Sequence, residues 1–270
     1  EPEGVSVRAA SLRAGFNVPL RIAESLVLIP GASYELLSLR QEGEAIGLPG
    51  SQEFHAVTGS ALLGWRMADR WSLTAQVAAT LAGDFVDVGV DHLQAGGMVL
   101  LSHSFSDRFS LGAGVLVSNQ FGEILPLPAI QVDWRIAETV WLRGLLPAQL
   151  RLTWSPHDRL ELGLVTSVRG QSYALTSSQG QTQWPCADEP DRNAEPDSCF
   201  RNLAYSQGEV GPWVGFRLRD SIWLSARATM AVFRRYEFRN ADGEIPEVGD
   251  LGLDSNLNFR VQLAFRIPRT

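Results

Sequence analysis

Phe105-Ser-Asp-Arg-Phe-Ser-Leu-Gly-Ala-Gly-Val-Leu-Val-Ser118 is the stretch whose pattern decides the fold. A tight polar turn, Phe105-Ser-Asp-Arg108, leads directly into a segment where Phe109, Leu111, Ala113, Val115 and Val117 alternate with Ser110, Gly112, Gly114 and Ser118. A period of two places successive side chains on opposite faces of an extended chain, so this is a strand with one apolar and one polar face. The same alternation recurs outward in both directions. Trp71, Leu73, Ala75, Val77, Ala79 and Leu81 interleave with Ser72, Thr74, Gln76, Ala78 and Thr80, and Leu257, Phe259, Val261, Leu263 and Phe265 interleave with Asn258, Arg260 and Gln262. No segment carries a convincing helical period.

Strands are expected near 5–18, 23–37, 53–66, 71–83, 92–105, 108–121, 127–136, 139–155, 159–174, 203–218, 221–238 and 253–267. Many run to about 10–15 residues, longer than the 5 or 6 usual in soluble sheets and suited to a tilted strand crossing a bilayer. Their connections differ in kind. Met67-Ala-Asp-Arg70, Phe105-Ser-Asp-Arg108, Ile136-Ala-Glu-Thr139, Ser155-Pro-His-Asp-Arg159 and Leu218-Arg-Asp-Ser221 are tight, whereas the connections near 38–52, 84–91, 175–202 and 239–252 are long, polar and acidic. Short turns on one rim and long loops on the other is the arrangement of outer-membrane barrels. Trp65, Trp71, Trp134, Trp141, Trp154 and Trp223 all lie close to the tight turns, where an aromatic belt at a membrane–water interface would sit.

This hairpin pattern, across residues 50–267, resembles the outer-membrane β-barrel proteins of diderm bacteria. Leu125-Pro-Leu-Pro-Ala-Ile-Gln-Val-Asp-Trp134 and Leu145-Leu-Pro-Ala-Gln-Leu-Arg-Leu-Thr-Trp154 are similar to segments of barrel families without a characterised function. The resemblance implies architecture and location: an all-β, antiparallel, up-and-down transmembrane barrel in the bacterial outer membrane, in mature form with its leader removed. Residues 1–270 form one domain on this view, with about twelve strands if Val140–Ser155 is a single strand. If Leu145-Leu-Pro-Ala148 is instead a hairpin tip, every tight turn keeps to one rim and the count becomes odd. Such barrels often finish on an aromatic assembly signal; here the final aromatic, Phe265, is followed by Arg-Ile-Pro-Arg-Thr270.

Composition sets the outer limits of function. Hydrophobic residues make up 45% of the 270, the net charge is −7, and all 23 basic residues are Arg. An acidic total argues against nucleic acid as a partner, because phosphate neutralisation needs a basic face. The partners expected are outer-membrane lipids and a protein that meets the extracellular loops or the periplasmic rim. The two cysteines, Cys186 and Cys199, share one polar loop at about 175–202, and a disulfide there fits an oxidising compartment. A two-Cys metal site is the rival, without a nearby His to complete it.

Projecting the alternation inward puts Arg143, Arg151, Arg169, Arg227, Arg235 and Arg260 in the lumen, opposed by Asp133, Glu161 and Glu209. A water-filled lumen so lined would favour small anionic solutes, because fixed charge in a narrow low-dielectric passage selects the ion that enters. Pairing among these residues would instead plug the interior and leave a structural barrel that binds partners through its loops. A secreted soluble β-sandwich is the third alternative. Acidic loop residues, Asp84, Asp87 and Asp91 or Glu189, Asp191 and Asp197, are candidate Ca²⁺ ligands, but no Ca²⁺-loop spacing accompanies them. His103-Ser-Phe-Ser106 is the nearest approach to a nucleophile with its base, set on the apolar face near a turn. His55, His92 and His157 fall at strand ends or turns. No phosphate loop, zinc spacing or dinucleotide fingerprint occurs, so neither an enzyme nor a cofactor is expected.

Overall fold

The computed structural model describes residues 6–42, 51–86, 88–89, 92–118, 125–175, 177–178, 181–182, 202–219, 222–239, 250–252 and 257–265. These residues are strand and turn, with no helix longer than an isolated turn. The long strands are β1 (Ser6–Asn17), β3 (Leu26–Glu42), β4 (Ser51–Ala68), β5 (Trp71–Gly83), β6 (Leu93–Ser106), β7 (Phe109–Ser118), β8 (Leu125–Ala137), β9 (Val140–Leu146), β10 (Gln149–His157), β11 (Leu160–Ala174), β14 (Asn202–Arg219), β15 (Ile222–Arg239) and β17 (Leu257–Phe265). Short strands β2 (Leu20–Ala23), β12 (Ser177–Ser178), β13 (Gln181–Thr182) and β16 (Asp250–Gly252) accompany them. Neighbours in sequence are neighbours in the sheet, and every long pairing is antiparallel.

Two segments depart from the expected pattern. β2 continues β1 along the same edge of β3, and a turn at Glu24-Ser25 closes this hairpin. The expected single strand over 139–155 is two strands, β9 and β10, folded back at Pro147-Ala148 with Leu145 opposite Gln149. The tip carries almost no polar turn chemistry, so the alternation runs through it undisturbed. The described residues therefore hold thirteen long strands rather than twelve. The reversals at 24–25, 69–70, 107–108, 138–139 and 158–159 share one rim; the β9–β10 tip turns tightly on the long-loop side.

That hairpin is short, and its neighbours rise above it. β9 ends where Leu146 faces Ile130, so Leu125–Ala129 of β8 has no strand partner on that side among the described residues. The Arg135 N–H donates to the Arg108 carbonyl at the start of β7, so odd-numbered amides of β8 face β7 and even-numbered positions face β9. Pro126 and Pro128 occupy even positions and withhold the donors that the missing strand would have met. On the other flank, β11 leaves β10 after the Val168 N–H bonds the Ala148 carbonyl at 2.9 Å. Its upper end then crosses the interior to β5. Ala174 pairs with Gly83 in parallel, and the Asp84 N–H donates to the Ala174 carbonyl at 3.2 Å. Gln94 reinforces the crossing: its Nε2 donates to the Ser172 carbonyl at 2.5 Å, and its Oε1 accepts from Gln171 at 2.6 Å.

The crossing closes β5 to β11 into a ring of seven strands, from which the remaining strands extend as a second lobe. The described residues record no pairing between β1 and β17. Inside the long-loop end, β3 and β4 pack against β11, β14 and β15 through Leu37, Phe54, Tyr173, Leu203 and Tyr236. Phe54, Tyr173 and Leu203 are fully buried, and the Phe54 and Tyr173 rings lie 5.4 Å apart. A smaller cluster, Met98, Leu100 and Ala129, fills the ring near the β9–β10 tip.

The outer face inverts the usual arrangement of a soluble protein. Along β6, Val99 is 54% exposed while Gln94 and Ser102 on the opposite face are buried. Thirty-seven described large apolar side chains are exposed, spread round the sheet from Leu12 to Phe259.

Candidate functional site

Two surfaces concentrate chemistry: the aromatic rims of the outer face and the arginines of the inner face. At the short-turn rim, Trp71, His103, Phe105, Phe109 and Trp134 form a continuous outward chain, with successive ring centroids 4.5, 4.8, 5.6 and 6.0 Å apart. Trp65 and Trp154 stand exposed on the same rim. His103 is thus one link in an aromatic belt. Ser102 and Ser104 flank it in sequence, and Ser102 turns to the opposite face to bond Gln131 at 3.1 Å.

Trp141 and Trp223 do not join this belt. Trp141 shares the inner face with Arg143 and lies under the Arg135 guanidinium, 5.5 Å from Cζ to centroid. Trp223 is buried on the inner face with Ser225 and Arg227. Each stands one place after the residue that opens its strand, Val140 or Ile222, and so faces the opposite way from it; nearness to a turn located the rim but not the face. At the other rim, Tyr34 Oη bonds His55 Nδ1 at 2.8 Å, and the rings of His55 and Phe85 stack at 5.7 Å. His157 accepts the Arg159 N–H at 3.2 Å within its turn.

His55 and Trp65 both point outward on β4 and lie ten residues apart. At about 3.3 Å per residue that is about 33 Å along the strand. A tilt of about 40° reduces it to about 25 Å across, the height of the apolar band of a membrane barrel.

The inner face gathers most of the expected lumen residues. Arg143 Nε donates to Asp133 Oδ1 at 3.1 Å, and both side chains are close to half exposed. Arg151 stands directly across from Arg143 and covers the indole of Trp213, with Cζ 4.7 Å from the ring centroid. Glu209, almost wholly buried, is the hub of the other wall. It accepts from Ser167 Oγ at 2.9 Å and Thr229 Oγ1 at 2.6 Å, pairs closely with Arg169, and lies 3.5 Å from Arg227 Nη2. A carboxylate so deeply buried is tolerable only with this number of donors around it. Glu161 lies beside Gly215 on the same face. Arg260 is directly opposite Arg227 in the β15–β17 register, and its side chain is outside the described residues.

Arg235 is the exception. A bulge between Ala231 and Phe233, opposite Gly208 and Glu209, inserts one residue into β15 and exchanges its faces above that point. Arg234 and Tyr236 therefore point inward and Arg235 points away, paired with Glu237 at 3.4 Å. Arg234 is the inner arginine that alternation alone misses: its Nε donates to Gln207 Oε1 at 3.2 Å and its Nη2 to Asn258 Oδ1. A bulge leaves no mark in an alternating apolar sequence, so no sequence signal could have located it.

Cys186 and Cys199 lie outside the described residues, as do Asp87, Asp91, Glu189, Asp191 and Asp197. Asp84 accepts the Val86 N–H at 3.3 Å in a local turn. Among the described residues no three His, Cys, Asp or Glu side chains are grouped to hold a metal ion.

Residues 65–244, well over half of the chain, match the family described as Domain of unknown function (DUF6268), and the chain belongs to it. No functionally curated protein matches. Among solved structures, the chain is similar to a point mutant of the ferric enterobactin receptor PfeA from Pseudomonas aeruginosa, at 13% identity and a TM-score of 0.29. That alignment covers 98% of this chain and 47% of the receptor, so the chain spans about half the receptor's length.

Proposed function

We propose that this DUF6268 member spans the bacterial outer membrane as an antiparallel β-barrel closed at its long-loop end, acting as an embedded scaffold and not as an open pore. The observation that carries the membrane assignment is the inverted surface: exposed apolar side chains outside, buried polar ones inside, and an aromatic rim above and below. In water each large apolar side chain left exposed forgoes about 1.5–3 kcal/mol of burial, a loss that lipid removes. A secreted sandwich would have packed these faces together. The short-turn rim faces the periplasm and the long loops face outward, where they meet partner proteins or the lipid layer.

Closure is supported by the packed cluster of Phe54, Tyr173, Leu203 and Tyr236, which occupies the interior where a conducting path would have to emerge. The rival is a passive channel for small anions, favoured by the surplus of inner arginines over carboxylates. Reconstitution into planar bilayers separates the two. The closed barrel gives no steady conductance steps, whereas reproducible anion-selective steps from the purified chain would establish the channel instead.

A further inference from the structure

The upper ends of β11, β14 and β15 break from the regular ladder at one height. β11 leaves β10 after Val168, Val168 stands opposite Gly208 of β14, and the β14–β15 register slips between Gly208 and Glu209. A bulge bends its strand, so the breaks lie along one line across the sheet. Above that line β11 and β14 stay paired without a slip as far as Ala174 opposite Asn202. The line has the form of a hinge, and the part above it carries Tyr173 into the packed cluster and Ala174 to β5.

The contact that holds this part down is close in space and incompletely met in polar bonds. A Cβ on Gly83 would meet the Ala174 carbonyl and His92 Nε2, each at 2.7 Å, so the glycine is what lets these groups come together. The His92 N–H donates to the Gly89 carbonyl at 3.3 Å, and His92 Nδ1 accepts the Gly89 N–H at 3.2 Å, which leaves the ring proton on Nε2. That Nε2–H is buried and makes no hydrogen bond among the described residues, and the same holds for the hydroxyl of Tyr173, the neighbour of Ala174. Each unmet group penalises the closed contact by what water would restore on opening.

We propose that the upper end of β11, together with β14, is a gate that hinges at Val168 and Gly208, lifts Ala174 off Gly83 and draws Tyr173 out of the packed cluster. It rests on the closed-barrel reading and gives that barrel an open state. Opening brings water to Tyr173 and His92 and breaks none of the β11–β14 ladder, so it is a local event far below global unfolding. Native-state amide exchange of the full chain in a maltoside detergent tests it at two amides. Asp84 donates to Ala174 across the gate, and Leu164 pairs with Leu152 in the β10–β11 ladder below the hinge. Asp84 is expected to exchange at least about a hundredfold faster than Leu164. Tyr173→Phe keeps the ring and removes the unmet hydroxyl, so Asp84 is expected to slow about tenfold with Leu164 unchanged. Equal protection of the two amides overturns the proposal, as does a Tyr173→Phe chain in which Asp84 does not slow or Leu164 slows equally. If Tyr173→Phe fails to fold, Gly83→Val decides: it is expected to hold the gate open and strip Asp84 of protection, and retained protection overturns the proposal. Steady conductance with the exchange contrast intact would remove the closed-barrel reading alone; no conductance and no contrast would remove the gate alone.

Discussion

The two ends of this molecule solve opposite problems. At the short-turn end the rings from Trp71 through Trp134 point outward, Trp141 and Trp223 turn inward, and the inner Arg143–Asp133 pair remains partly open. At the long-loop end Tyr34 and His55 keep to the outer face, while Phe54, Tyr173 and Tyr236 are buried inside where β11 crosses to β5. Strand alternation is the same at both ends. The difference is whether the inward position carries a polar or an apolar residue, so closure is written into the inner face alone.

The largest expected effect comes from opening the closed end. Phe54→Ala removes a fully buried ring and is expected to destabilise the fold by about 3–5 kcal/mol, read as a lower temperature for losing the compact form on unboiled gels. An equal loss from Trp134→Ala at the exposed rim would erase the contrast between the ends. Next, Val99→Arg places a charge in the middle of the apolar band and is expected to cost about 2–4 kcal/mol in bilayers. Its folding equilibrium in lipid vesicles measures this, and a negligible change would mean that this face does not meet lipid.

Glu209→Gln tests the inner polar wall. It leaves Arg169 and Arg227 without their shared carboxylate, for an expected loss of about 2 kcal/mol in urea unfolding, discounted because Arg169 keeps some solvent contact. The smallest effect is at the crossing. Gln94→Leu removes the bond to the Ser172 carbonyl and should cost about 1 kcal/mol globally while raising amide exchange at the upper end of β11. Unchanged exchange there would show that the Ala174–Gly83 pairing does not depend on Gln94.

Strands and rims were legible in the sequence, whereas the closed end built by Phe54, Tyr173 and Tyr236 was not. Alternation placed β5 at its observed limits, and tight turns such as Ser106-Asp-Arg108 found the common rim because local chemistry fixes local reversals. The β9–β10 tip escaped because Leu145-Leu-Pro-Ala148 lacks that chemistry, and the face of Arg235 escaped because a bulge is set by pairing with β14. Trp141 and Trp223 show that proximity to a turn gives height and not direction. The crossing of β11 rests on Gln94 and Gln171, residues 77 positions apart, which no local pattern connects.

The most direct test of the membrane barrel is detergent dependence combined with heat-modifiability of the purified chain. A protein that needs detergent to stay dispersed, and that migrates differently on a gel before and after boiling, is the predicted result. A chain that is fully soluble without detergent and migrates identically in both states would contradict it.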